Sequence, residues 1–339
     1  MLRLVFEKLP IGEEGIMPLD HFVSQVHLKN FYSPELGGKM MYGFRKRDGL
    51  IFPCKSADVC RVKNGSTNGY LLHDRVIEKF LRTIEPGYNQ AVNDLREDRV
   101  NPQAIYVIAG FTAFVTSCSP TAMRLGEDPL RHAVISTARI LEERGLVDKA
   151  PDVLGGKTLT ELVDDGLIKV DIDQKYPQAI GISQIVDRTF MLGNSRWELI
   201  HNDDEGSPFL TSDFASAIEV ADDQNMLNRI VPLSPDFAIR ILLDKNFKEK
   251  GNGKDFSDFR FNRLRYKGTA IRQVNTLIAQ CAEELIFFRD NHKWIPRFLG
   301  NCSSFWIEPK TIAIPTSRGI MNSSTMRICR KASAAIGKH

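Results

Sequence analysis

Residues 197–212, WELIHNDDEGSPFLTS, and 229–243, RIVPLSPDFAIRILL, decide the fold class. The runs 197–201, 209–212, 229–233 and 237–243 are short, apolar or alternating, and separated by turn residues, the pattern of strands that pair antiparallel. On either side the apolar period lengthens to three or four. Ile77, Leu81, Ile84, Tyr88 and Val92 lay one stripe along a helix that Pro86 should kink, and Ile271, Val274, Ile278, Cys281 and Leu285 lay another. Ser119-Pro120 opens a further helix, with serine as cap and proline in the first turn, which carries Leu125, Val134 and Leu141 before Gly145 stops it. The apolar run 104–115 falls short of the roughly 20 residues that span a bilayer and reads as a buried helix. Near the amino end, 20–31 has a short helical signal, and 40–44 and 50–53 read as strands around the turn Arg47-Asp48-Gly49. Strands and helices segregate along the chain. This predicts an α+β fold, helix-rich, with a small mainly antiparallel sheet, rather than a doubly wound parallel one.

A chain of 339 residues, 42% of them apolar, can bury a core without disulfide or metal staples. No repeat or low-complexity linker divides it, so 1–326 reads as a single domain. Beyond it, Arg327, Arg330, Lys331 and Lys338 meet no acid and large apolar residues give out, so 327–339 reads as a basic, disordered tail. A net charge of +3 leaves electrostatic arguments to local clusters. Cys54, Cys60, Cys118, Cys281, Cys302 and Cys329 are scattered without a CxxC pair, which favours free thiols. The amino end holds Glu7 and no long apolar stretch before a small-residue cleavage site. Both features predict a cytoplasmic protein with no membrane association.

The richest chemistry lies in His21-Phe-Val-Ser-Gln25-Val-His-Leu28-Lys-Asn-Phe31. As a helix capped by Asp20 it would put His21, Gln25 and Leu28 on one face. There an imidazole can act as acid, base or metal ligand and an amide can hold substrate or water, although such a pair taken alone is more often a satisfied polar edge of the core. The segment resembles the opening of the bacterial domain of unknown function 4238 family, H-[YF]-[VI]-P-Q-x-[YF]-L-[RK]-x-F. Here Ser24 replaces the usual proline and His27 the usual aromatic. Glu78-Lys79 and Ile84-Glu85 resemble the family's acidic helix, and the run from Trp197 to Ile200 its tryptophan strand. Thr211-Ser212-Asp213, Pro232-Leu233-Ser234-Pro235 and Val274-Asn275 follow in the family's order, so the resemblance covers about residues 20 to 290. The chain departs from it at Phe214-Ala215, where the family has Asn-Pro, and near Cys118, where an arginine is replaced by Arg124 a turn later.

Asp213 should stand at a strand end, next to an acidic run with Asp203, Asp204, Glu205, Glu219, Asp222 and Asp223 that could hold a hard divalent cation or be a solvated loop. Glu85 borders the apolar stripe and Asn275 lies on an apolar helix face, so each needs a polar partner. From Lys245 to Arg272 cations outnumber acids and are interleaved with Phe256, Phe259, Phe261 and Tyr266, the ingredients of single-strand nucleic-acid binding. The alternative is an exposed loop with a few core aromatics. Gly155-Gly156-Lys157-Thr158 is no P-loop, because Pro151 stands where the first glycine should, and Asp171-Ile172-Asp173 is a commonplace acidic alternation.

Three functions fit. The first is a metal-assisted nuclease using Mg²⁺ or Mn²⁺ on RNA or DNA, as a toxin or phage-defence effector. It would have His21, Gln25 and Asp213 as catalytic residues, Asp213, Glu85 and His21 as metal ligands, and Arg260, Arg263, Arg265 and Lys267 on the phosphates. Asn275, Glu78 and Trp197 would be structural or line the pocket. The second is a non-catalytic module that binds nucleic acid or protein, and the third a small-molecule hydrolase or transferase. Convergence of His21, Gln25, Glu85 and Asp213 in one open cleft would favour catalysis.

Overall fold

The structure, a computed structural model, describes residues 18–221, 226–243, 255–316 and 319–331. The chain starts with β1 (Leu19–His21), α1 (Gln25–Lys29), β2 (Met41–Arg45), β3 (Ile51–Cys54) and β4 (Arg61–Lys63). The helical signal at 20–31 is therefore realised only in part. Asp20 does not cap a helix, because its carboxylate is held by Ser66 N and by Arg75, and the backbone of 19–21 pairs antiparallel with 61–63. His21 is a strand residue, and the helix begins four residues later at Gln25.

Next come α2 (Val76–Ile84) and α3 (Tyr88–Arg96), separated at Pro86 by a single tight turn, Glu85–Gly87. Then α4 (Pro102–Cys118) runs through the centre, buried on almost every side, which is why its apolar residues show no amphipathic stripe. Asn101 Oδ1 caps it by accepting from Ala104 N at 2.9 Å. A Cβ on Gly110 of α4 would come within 2.9 Å of Ile84, so the small residue lets α2 lie close and fixes where Glu85 emerges. Ser119 caps α5 (Pro120–Glu143) through Ala122 N, and the chain turns away at Gly145 with φ +66. Three shorter helices, α6 (Leu159–Asp164), α7 (Lys175–Ser183) and α8 (Ile185–Gly193), complete the helical half. No single helix among the described residues is long and apolar enough to cross a membrane.

The strand-rich half holds β5 (Arg196–Asn202), β6 (Thr211–Ser212), β7 (Ala217–Val220), β8 (Leu227–Ser234), β9 (Phe237–Leu242), β10 (Arg260–Tyr266), α9 (Thr269–Cys281), β11 (Leu285–Phe288), α10 (Ile295–Cys302), β12 (Phe305–Thr316) and β13 (Gly319–Arg330). The main sheet has the order β10-β5-β9-β8-β7. Its pairs are antiparallel except β10 on β5, which is parallel, with Phe261 opposite Trp197. The strands foreseen in the third quarter fall into two sheets: β6 leaves the others and joins β3-β2-β11-β6. The fold is α+β, as the segregation of periods predicts.

Two boundaries move. The late helix stops at Cys281 and Leu285 starts β11, because the chain turns at 282–284 to pair Phe287 with Gly43 and Thr211. Arg327 and Arg330 are not tail residues: they lie in β13, opposite Glu308 and Phe305, where Arg330 sits over the Phe305 ring. Residues 332–339 lie outside the described ones. One core gathers around α4 and the face of β5, β8 and β9, and a second lies between the two sheets, α9 and α10.

Candidate functional site

The turn from β1 into α1 brings the last residue of one and the first of the other, His21 and Gln25, to face α2 and the turn after it. Together with Glu78, Leu81 and Glu85 they line an open cleft of about 220 Å³. Arg75 joins two of its carboxylates, meeting Asp20 at 2.8 Å and Glu78 at 3.5 Å. Burial works against a charged Asp20, but the hydrogen bonds from Arg75 and Ser66 prevail and hold it below the usual carboxylate range. Glu85 accepts a short hydrogen bond from Ser24 Oγ, and Gln25 Oε1 accepts from Ser56 Oγ at 3.3 Å. His21 Nε2 is buried and has no hydrogen-bond partner among the described residues. The ring also borders a chamber of about 10 Å³ beside Phe114, Cys118 and Gln178. A chamber of that size has room for about one water molecule.

Asp213 is elsewhere. Just past β6, its buried carboxylate accepts from the backbone N–H groups of Glu283, Glu284 and Leu285 at 2.9, 2.7 and 2.8 Å. Burial pushes its pKa up to about 6, against the pull of those three donors. Next to this turn, Lys46 donates to the carbonyls of Ala279, Ala282 and Phe305, and burial brings its pKa down to about 8. Asp213 thus locks β6 to the link between α9 and β11. The expected ligand trio of Asp213, Glu85 and His21 does not assemble. Among the described residues no three His, Cys, Asp or Glu side chains are placed to hold a metal ion. Asp213, Glu85 and His21 are therefore no common donor set for Mg²⁺ or Mn²⁺, and no step below runs through a metal.

The exposed loop weighed as the alternative for the basic segment does not form over 260–266: these residues are β10, and Arg263 and Arg265 are paired with Asp98 and Asp203. Arg260 donates to its own neighbouring carbonyls, at Ser257 and Phe259. Lys267 follows β10 at the surface. The interleaved aromatics pack inward, Phe256 on Phe190 and Phe259 on Trp197, which leaves few free faces for bases. Lys245, Lys248, Lys250 and Lys254, like Asp222 and Asp223, lie outside the described residues. Trp197 is fully buried and donates to Leu192 O, and Asn275 bridges Pro208 O and Leu210 N, both structural roles.

A larger polar cleft of about 970 Å³ opens where α1 ends, lined by Asn30, Asn93, Arg96, Ser234, Asp236 and His292 among others. Arg96 reaches Ser234 Oγ at 2.7 Å and Asp236 at 3.1 Å across it. Of these residues only Asn30 and Ser234 fell in motifs legible in the sequence, because the cleft is assembled from segments far apart in the chain. A family model described as Protein of unknown function (DUF4238) matches residues 20–292. No curated protein and no solved structure matches.

Proposed function

The chain belongs to the DUF4238 family of proteins of unknown function, and from the site built by the matched span we propose that it is a hydrolase working by acid–base chemistry in the His21 cleft. The observation that supports this is the meeting of His21, Gln25, Glu78 and Glu85 in one open cleft. In this reading His21 takes a proton from water as the water oxygen attacks the substrate. It then returns the proton to the leaving group, so that one water is added across one broken bond. Glu85 and Gln25 orient water and substrate. Three carboxylates against one Arg75 make the cleft acidic, so a small molecule with a neutral or cationic reacting group suits it better than a bare phosphodiester.

The structural commitment of Asp213 favours a second reading, a non-catalytic binding module, because it removes one of the three residues expected to be catalytic. Ester, amide, glycoside, RNA and DNA substrates, each with Mg²⁺, Mn²⁺ or EDTA, would separate these readings. The hydrolase reading expects turnover of a small substrate that survives EDTA and falls by roughly 10²–10⁴ in His21→Ala. Metal-dependent cleavage of RNA or DNA would restore the nuclease. No turnover of any substrate by folded protein would leave the binding module.

A further inference from the structure

Past residue 292, where the family match ends, the chain adds a second lining to the molecule. Lys293, Trp294 and Arg297, at and just before the start of α10, face Thr269 and Arg272 in the first turn of α9. Between them lies a cleft of about 850 Å³ that Asn301 also lines. Neighbouring arginines are neutralised, Arg265 by Asp203 and Arg289 by Asp290. Among the described residues, Arg272, Lys293 and Arg297 have no carboxylate partner. Asp204 reaches the wall only through the backbone: it accepts from Gly206 N and from Gly268 N, and Gly268 lines the cleft. Three uncompensated cations around one concavity raise the local potential and attract an anion with several oxygens.

The cleft also has a fixed aromatic wall. Trp294 donates Nε1 to Gly206 O at 3.0 Å, meets Phe298 edge to face at 5.4 Å, lies parallel to the His292 ring with centroids 6.2 Å apart, and is half-buried. An indole held at both ends loses little freedom when a flat ring stacks on it. Thr269 and Asn301 add hydroxyl and amide groups that suit a sugar. The volume lies within the roughly 300–1,000 Å³ of small-ligand sites. We propose that this cleft binds a nucleotide unit, with its phosphate among Arg272, Lys293 and Arg297 and its base against Trp294. The unit can come as a free nucleotide or as part of a single-stranded nucleic acid. The proposal does not depend on the hydrolase reading, since it concerns binding at a different cleft.

Equilibrium titration distinguishes the two sources. Full-length protein is mixed with AMP, ADP or ATP in one arm and with short labelled single-stranded RNA or DNA in the other, and binding is followed by tryptophan quenching and by anisotropy. Saturable binding in either arm supports the proposal and names the source. Arg297→Ala and Lys293→Ala should each weaken that binding several-fold, and in the strand arm each should flatten the slope of log affinity against log salt by about 0.7. Trp294→Leu should weaken it about ten-fold or more while the salt slope holds. His21→Ala protein should bind as the wild type does, so a failed hydrolysis assay would not touch this result. Absence of binding in both arms, or unchanged affinity in the Arg272→Ala, Lys293→Ala, Arg297→Ala triple variant shown to be folded by circular dichroism, would overturn it.

Discussion

His21 and His27 lie on one short stretch of chain and meet opposite surroundings. His27 is fully buried, with Nδ1 on Tyr88 Oη at 2.7 Å, Nε2 on Thr211 Oγ1 at 2.9 Å and its ring stacked on Phe111. Burial lowers its pKa to about 3, so it is a neutral strut between α1, α3, α4 and β6. His21 lines a cleft and keeps Nε2 unpartnered. Asp213 and Glu85 repeat the contrast, one with its carboxylate filled by three backbone donors and the other at an open wall. What separates a scaffold residue from a candidate for chemistry here is how much of its hydrogen-bonding capacity the fold has already used.

The largest effect should come from acid. An unfolded His27 takes its proton near pH 6.5, whereas the native one resists until about 3. Its contribution to stability is therefore complete above about pH 6.5 and is lost as pH falls toward 3, to the order of 4 kcal/mol. Asp213 works the other way, because its raised pKa favours the native state at low pH and that contribution disappears as pH rises through about 6. Urea denaturation across this range, compared between the wild type and His27→Phe, isolates the histidine. The variant should lose ~2 kcal/mol at neutral pH, from stranding the hydroxyls of Tyr88 and Thr211, and should show a flatter acid limb. An unchanged limb would mean that His27 is not the buried strut.

Next is Asp213→Ala, which strands three backbone N–H groups and should cost ~3 kcal/mol in the same assay. A variant as stable as the wild type but without turnover would move Asp213 from scaffold to chemistry. His21→Ala should change stability by less than ~1 kcal/mol while removing turnover, and a large stability loss would place His21 with His27. Smallest is Arg263→Ala, whose partner Asp98 is also exposed, for which a thermal melt should register no more than ~0.5 kcal/mol.

Much of the fold was legible because its signals are local. The stripe through Ile77, Ile84 and Val92, the break at Pro86 and the Ser119-Pro120 start all act within a turn or two of chain, and α2, α3 and α5 follow them. Sheet membership was not legible. Thr211 and Trp197 both read as strand residues, yet which neighbour each pairs with depends on packing against α9 and α4. β12 and β13 were missed because most of their residues are half-buried or exposed and their sequences carry little apolar alternation. The candidate site was half legible. The His21, Gln25, Glu78 and Glu85 group came from neighbouring elements, whereas Asp213 looked catalytic because a strand-end carboxylate gives no local sign of donors seventy residues away, at 283–285.

The sheet β3-β2-β11-β6 has a consequence for the making of the protein. Phe44 pairs with Ile286, and Lys46 holds carbonyls at 279, 282 and 305. At a synthesis rate of about 5–20 residues per second, the second of these strands follows the first by roughly 10–50 s. For that interval β2 is paired only with β3, and its other edge, Met41–Arg45, is an open template for any strand that reaches it. A nascent chain of this design is most exposed to aggregation before β11 arrives, and slow closure of such distant pairs lengthens the exposure during refolding as well.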